Sequence, residues 1–447
     1  MDSTKLLCAF AAILLLLSAA PAQDRLDSFI ERELPSLVET YKTLHANPEL
    51  SYAEEKTAAF VAKELRSLGF NVTERIGKYA KPGLTSYGVV AVMKNGDGPV
   101  VWVRADLDGL PVEEKTGLPY ASKVKVRVDN GEVGVMHACG HDVHITSLLG
   151  TARTLIELKD RWSGTLVLIG QPAEERGAGA KAMLDDGLYE RFPRPNYVLA
   201  LHDNASLEAG KVGFVEGFAL AAVNSVDITV RGVGGHGAYP NTTKDPVVIA
   251  AQVVLALQTI VSRENSPFDP VVVTVGSIQG GAKHNIIPDE VVLQLTVRTY
   301  KEEVRRRVLA SIERITRNIA EAAGLPADRM PVVNIREEEF TPATYNDPGL
   351  TRRLAGVVAK GLGEANVVKL DPVMGGEDFG RFSLDGRQVP VTLFWLGAVD
   401  PAKVADSQKT GTPLPSLHSS QFAPLPEATI RTGVKAMTIS VLELMKR

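Results

Sequence analysis

An α/β fold is predicted for this chain: a larger domain with a central mixed sheet flanked by helices, carrying an inserted ferredoxin-like α+β domain. Two observations carry the prediction. Short apolar runs bounded by glycine alternate with segments of helical periodicity on both sides of residues 224–339. Within 224–339 the elements follow the order βαββαβ, which suits a two-layer domain of one sheet and two helices. The chain therefore divides into an export segment (1–22), the first part of the larger domain (23–223), the insert (224–339) and the second part (340–447).

The elements follow in order. Leu26, Phe29, Ile30, Leu34, Leu37, Val38 and Tyr41 recur at helical spacing until Asn47-Pro48 interrupts them. A second helix runs from Ala53 to Leu68, with Gly69 as its stop. Val89–Met93 and Val100–Val103 read as buried strands. A helix is expected over 143–158, then strands over 165–170 and 197–201, the last ended by His202-Asp203. In the insert, strands are expected at 225–230, 271–279, 290–299 and 332–338, and helices at 246–261 and 302–323. Segment 247–261 is nearly apolar all round, so one face can cover the sheet while the other asks for a partner such as a second protomer. A helix at 348–362, a strand at 391–396 and a helix at 426–445 complete the larger domain.

Composition narrows the function. Apolar residues make up 45% and charged residues 23% of 447, an ordinary globular balance with room for two or three domains. A net charge of −4 and the lack of a basic cluster with interleaved aromatics exclude a nucleic-acid partner. Lys5, the apolar run Leu6–Ala20 and the small residues Ala20-Pro21-Ala22 form a signal-peptide pattern, too short for a membrane span. The mature protein is expected to be exported to the periplasm or outside the cell, without a membrane anchor. Cys8 leaves with that segment and Cys139 remains alone, so no internal disulfide forms. A metal-held thiolate accounts for one cysteine in an oxidising compartment.

Residues 136–144 read Met-His-Ala-Cys-Gly-His-Asp-Val-His. Cys139 and His141 offer a sulfur and an imidazole two positions apart, and Gly140 lets the backbone turn between them. Three successive strands run into further donors: Asp106, Glu174-Glu175 and His202-Asp203. Asp106, at a strand's carboxyl end, is placed to orient a metal-binding histidine. Adjacent acids past a buried strand are expected to point apart, Glu175 or Glu174 to a metal and the other to solvent or substrate. His418 is the last candidate ligand. Gly232–Gly237 matches a dinucleotide fingerprint in letters only, because Pro240 follows and no helix opens there. His236 in that loop is instead able to reach a substrate, and the loop 284–288, which holds Asn285, is able to present polar groups.

Seven motifs, in order along nearly the whole mature chain, resemble the amidohydrolase branch of the M20 metallopeptidases. They are His-Ala-Asn-Pro-Glu-Leu (45–50), Arg-Ala-Asp-Leu-Asp-Gly-Leu-Pro (104–111), the 136–144 stretch, Gln-Pro-Ala-Glu-Glu (171–175), Gly-Gly-His-Gly-Ala-Tyr-Pro (234–240), His-Asn-Ile-Ile-Pro (284–288) and Met-Gly-Gly-Glu-Asp-Phe (374–379). The branch includes N-acyl-amino-acid, hippurate and auxin-conjugate hydrolases. The resemblance implies two divalent metal ions per subunit, zinc or manganese, with cobalt or nickel also compatible with the S/N/O donor set. Cys139 takes the place of a bridging aspartate, and His141, Glu175, His202 and His418 complete the ligands. Glu174 carries over as general base. His236 carries over as a lid residue holding substrate or oxyanion, often across a dimer interface, and Asn285 as a substrate contact. His45, His137 and His144 are read as structural. A homodimer through the lid domain is implied, and the substrate is an N-acyl-amino acid or a short peptide.

Three other readings compete. A secreted carboxypeptidase or dipeptidase of the same family differs by its acyl-group preference. A binding protein that has lost catalysis is opposed by the presence of Glu174 beside five ligand candidates. A closed structural metal site is opposed by the same unused carboxylate.

Overall fold

The computed structural model describes residues 22–128, 131–384, 386 and 388–447. The expected export segment lies outside the described residues apart from Ala22.

The main elements of the first part are α1 (Ala22–Ala46), α2 (Glu55–Ser67), β1 (Asn71–Ile76), β2 (Gly88–Asn95), β3 (Val100–Asp106), α3 (His141–Glu157), β4 (Gly164–Gln171), β5 (Tyr197–Glu208) and β6 (Val212–Phe214). The insert holds β7 (Ala222–Arg231), α4 (Pro246–Thr259), β8 (Val271–Gln279), β9 (Glu290–Thr299), α5 (Glu302–Ala322) and β10 (Val332–Thr341). The second part adds α6 (Pro348–Leu362), β11 (Val367–Lys369), β12 (Val391–Val399), α7 (Pro401–Thr410) and α8 (Pro426–Met445).

Eight strands form one mixed sheet in the order β1-β2-β4-β3-β5-β12-β6-β11. Its centre, β4-β3-β5-β12, is parallel, with Val103 opposite both Leu168 and Leu199 and Phe394 opposite Leu201. Every residue of β12 is buried and β3 is buried from Val101 onward, as a parallel sheet covered on both faces requires. One face packs under α1, α3 and α8 through Leu37, Tyr41, Leu148, Leu155, Val434 and Val441. The opposite face is filled by Trp102, Val167, Ile169, Met183, Phe379 and Phe382. Gly150 sets how closely α3 approaches its neighbours, since a Cβ there would stand 2.5 Å from Val434 and 2.9 Å from Leu37.

The insert's sheet is antiparallel in the order β8-β9-β7-β10. Numbered within the insert, that is 2-3-1-4, the ferredoxin-like arrangement predicted from the element order. Burial alternates along β7, turning Val226, Ile228 and Val230 toward Val253, Leu257 and Ile312. Val247, Val248 and Leu255 on the outer side of α4 are exposed.

Two departures from expectation have physical causes. The strand expected to end at His202-Asp203 continues to Glu208, because β12 pairs alongside it as far as Val399. Strand β1 was not foreseen, since Asn71–Ile76 is a polar edge strand with one buried residue and no apolar alternation.

Candidate active site

Strand β3 ends at Asp106, and the loop preceding α3 returns to that end of the sheet. Gly140 adopts φ 81°, and a Cβ on it would meet Asp203 Oδ2 at 2.4 Å, so this sharp entry into α3 admits glycine only. The turn sets Cys139 just before the helix and His141 on its first turn. His141 donates from Nδ1 to the Asp108 carbonyl at 2.8 Å, and its buried Nε2 has no hydrogen-bond partner among the described residues. His202, on β5, has Nδ1 2.9 Å from the Asp203 carbonyl and Nε2 3.6 Å from Cys139 Sγ. His418 sits at φ 66° with its N–H on the Ala138 carbonyl. Its Nε2 is 3.3 Å from the same sulfur and 3.6 Å from Glu175 Oε2.

Glu174 and Glu175 do not point apart. Ala173 takes the left-handed conformation, φ 48°, and a 3₁₀ turn follows it. The turn brings both carboxylates to 3.8 Å from His141 Nε2. Asp108 fixes the turn, its carboxylate accepting the N–H groups of Glu174 at 3.2 Å and Glu175 at 3.1 Å. Glu54, fully buried, accepts the Ala173 N–H at 2.7 Å.

The donors fall into two groups that share Cys139: Cys139, His141 and His202, and Cys139, Glu175 and His418, with ligand atoms inside 4.8 Å in each. Burial raises the Cys139 thiol, and Glu175 and Glu174 raise it further. Burial likewise raises the Glu174 carboxyl, with Glu377 and Glu175 adding to it, and pushes Glu175 up to about 8 against the opposing pull of His141. For His141, burial is outweighed by Asp106, Asp108 and Glu175, which hold it near about 10. Arg104 is the fixed cation here, committed to Asp106 at 2.6 Å and Glu377 at 2.9 Å. So many buried acids around a thiol, with His141 Nε2 and Glu175 Oε1 lacking hydrogen-bond partners among the described residues, fit bound divalent cations, which favour the thiolate, the carboxylates and neutral imidazole together.

All five ligand candidates and Glu174 meet at this place. Asp106 accepts from His144 Nδ1 at 2.6 Å and lies 3.7 Å from His141 Nε2, while the Asp108 carbonyl takes His141 Nδ1. His144 is spent structurally, its Nε2 accepting the Asp203 N–H at 2.9 Å. His45 is clamped between Asp142 at 2.7 Å and Glu114 at 3.0 Å. His137 is buried, which pushes it down to about 4. His236 and Asn285 are exposed on the paired strands 235–236 and 286–287 and their margins, and neither lines the cleft over the donor cluster within one chain. That cleft, about 1420 Å³, runs between the two domains. Its walls hold residues not anticipated from the sequence, among them Arg298 of β9 and Glu377. Glu377 lies in the 374–379 motif and was within reach of sequence reasoning. Arg298 carried no signal, being one polar residue in an alternating strand.

The model of "Peptidase family M20/M25/M40" matches residues 102–417. The chain belongs to this family. As a member of peptidase family M20 it is a hydrolase of amide bonds. N-acetyl-L-cysteine deacetylase of Bacillus subtilis is 38% identical over 77% of this chain and 77% of its own. Hippurate hydrolase of Campylobacter jejuni is 38% identical over 76% of this chain and 82% of its own. Thermostable carboxypeptidase 2 of Saccharolobus solfataricus is 35% identical over 92% of this chain and 96% of its own. Among solved structures, a Bacillus subtilis protein described as a dinuclear metal binding peptidase from the M20 family matches with a TM-score of 0.72 at 27% identity, over 93% of this chain and 99% of that one.

Proposed function

We propose that this M20 protein is an exported, metal-dependent amidohydrolase that cleaves N-acyl-amino acids to a carboxylic acid and a free amino acid. The observation that carries the reading is Cys139, shared between two donor groups with Glu174 beside both. Cys139, His141 and His202 would hold one divalent ion, and Cys139, Glu175 and His418 a second, zinc or manganese by donor type. Such ions supply a Lewis acid and lower the pKa of bound water to about 7.

The chain's own groups do the rest. Glu174 takes a proton from the attacking water at its carboxylate and delivers it to the departing nitrogen. Arg298, half-buried in the cleft wall and with no ion pair among the described residues, suits the α-carboxylate of an N-acyl-amino acid. Tyr52, Tyr79 and Trp395 give the cleft aromatic walls for an acyl group. His236 reaches a site through a second subunit in this reading, with the exposed side of α4 forming the homodimer interface. Export rests on the pattern from Lys5 to Ala22.

The test is release of free amine from hippurate, N-acetyl- and indoleacetyl-amino acids and simple dipeptides, with and without chelator. Chelator-sensitive cleavage of the acyl-amino acids is expected. Preference for dipeptides would favour the second reading, a secreted carboxypeptidase or dipeptidase, which the similarity to a carboxypeptidase over 92% of the chain supports. Absence of cleavage by metal-loaded protein would refute both.

A further inference from the structure

We infer that Glu377 is a further catalytic residue, accepting the N–H of the scissile amide and holding the amine as it leaves opposite Glu174; this rests on the amidohydrolase reading above. Glu377 stands on the wall of the cleft yet is only 2% exposed. One of its oxygens, Oε1, is fully used: it accepts from Arg104 Nη2 at 2.9 Å and from the N–H of Phe379 at 2.9 Å. The other, Oε2, is buried and has no hydrogen-bond partner among the described residues. A buried carboxylate oxygen left unpaired costs stability unless something donates to it, so the vacancy points to a donor the substrate brings.

The general base is a near neighbour of Glu377. A carboxylate oxygen of Glu377 lies within 4.8 Å of one of Glu174. Two hydrogen bonds of about 2.8 Å from one tetrahedral nitrogen hold their acceptors about 4.6 Å apart. A separation inside 4.8 Å leaves room for a single departing nitrogen bonded to both. Arg104, committed to Oε1, keeps Glu377 fixed while it does so.

The step balances. The oxygen of water bonds to the carbonyl carbon, and the C–N bond breaks with its electron pair remaining on nitrogen. Nitrogen gains both protons of the water, the first by way of Glu174, and leaves as an ammonium beside a carboxylate. The hydrogen that Glu377 accepts is the amide's own, which an ester lacks. Glu377 is thus expected to discriminate amides from their oxygen analogues.

The experiment compares wild type and Glu377→Gln, both metal-loaded, on an N-acyl-amino acid and on the O-acyl hydroxy acid of the same shape. Loss of one charged hydrogen bond predicts a fall in amide kcat of about tenfold to a hundredfold, with ester kcat unchanged or raised. Metal content and Tm are measured on both proteins, and Glu377→Asp, which keeps the charge, should recover part of the amide rate. Equal losses on both substrates, or loss of a metal ion from Glu377→Gln, would overturn the inference and make Glu377 a structural group or a ligand. Failure of wild type to cleave the amide at all would instead refute the amidohydrolase reading.

Discussion

His141 Nδ1 lies 2.8 Å from the backbone carbonyl of Asp108, and the carboxylate of the same aspartate takes the N–H groups of Glu174 and Glu175. Asp108 thus aligns the proposed ligand on α3 with the proposed ligand and base on the turn after β4. Replacing it with alanine leaves two N–H groups in the turn unsatisfied, for an expected loss of about 2–4 kcal/mol and weaker metal binding. Urea unfolding and metal titration of Asp108→Ala check this. Wild-type stability in that variant would show that the turn holds itself.

Glu174→Gln preserves size and leaves all five donor side chains in place. It is expected to retain metal while kcat falls about a hundredfold to ten-thousandfold, the contribution of a positioned general base. Near-normal turnover would remove Glu174 from that role.

Gly140→Ala strains the chain twice, at a φ of 81° and against Asp203 Oδ2 at 2.4 Å. A loss of about 2–4 kcal/mol is expected, with reduced metal affinity because Cys139 and His141 flank the strained residue. Thermal unfolding with and without added metal separates the two effects. A Tm unchanged in both conditions would contradict the packing described here.

His45 provides a pH test away from the donors. Burial alone would lower it, yet the bonds to Asp142 and Glu114 raise it from the ordinary 6.5 to about 10. Because the folded value is the higher one, the stabilisation is complete below about 6.5 and is lost as pH rises through about 10. Unfolding midpoints measured from pH 7 to 10 should therefore decline more steeply for wild type than for His45→Gln. Parallel profiles would show that His45 is not held protonated.

Much of this was legible in the sequence, for reasons that can be named. Periodicity located α1, α3 and α8, and βαββαβ order was enough to fix the ferredoxin-like insert. The donors were found because Cys139 and His141 are close in sequence and Glu174, Glu175 and His202 follow apolar runs. What escaped depended on tertiary contact. Pairing with β12 carries β5 past His202, and left-handed Ala173 brings two adjacent acids to one imidazole. A backbone carbonyl, which has no letter in a sequence, takes the Nδ1 side of His141. His236 and Asn285 were placed by motif alone, and a single chain leaves both outside the cleft.

The two-metal reading of the Cys139 cluster is tested by hippurate hydrolysis with metal-free protein titrated with zinc or manganese. No turnover is expected without metal, and a rise to a plateau at two equivalents, with Cys139→Ala failing to hold the pair. Full turnover by the metal-free protein, or by Cys139→Ala at wild-type metal content, would contradict it.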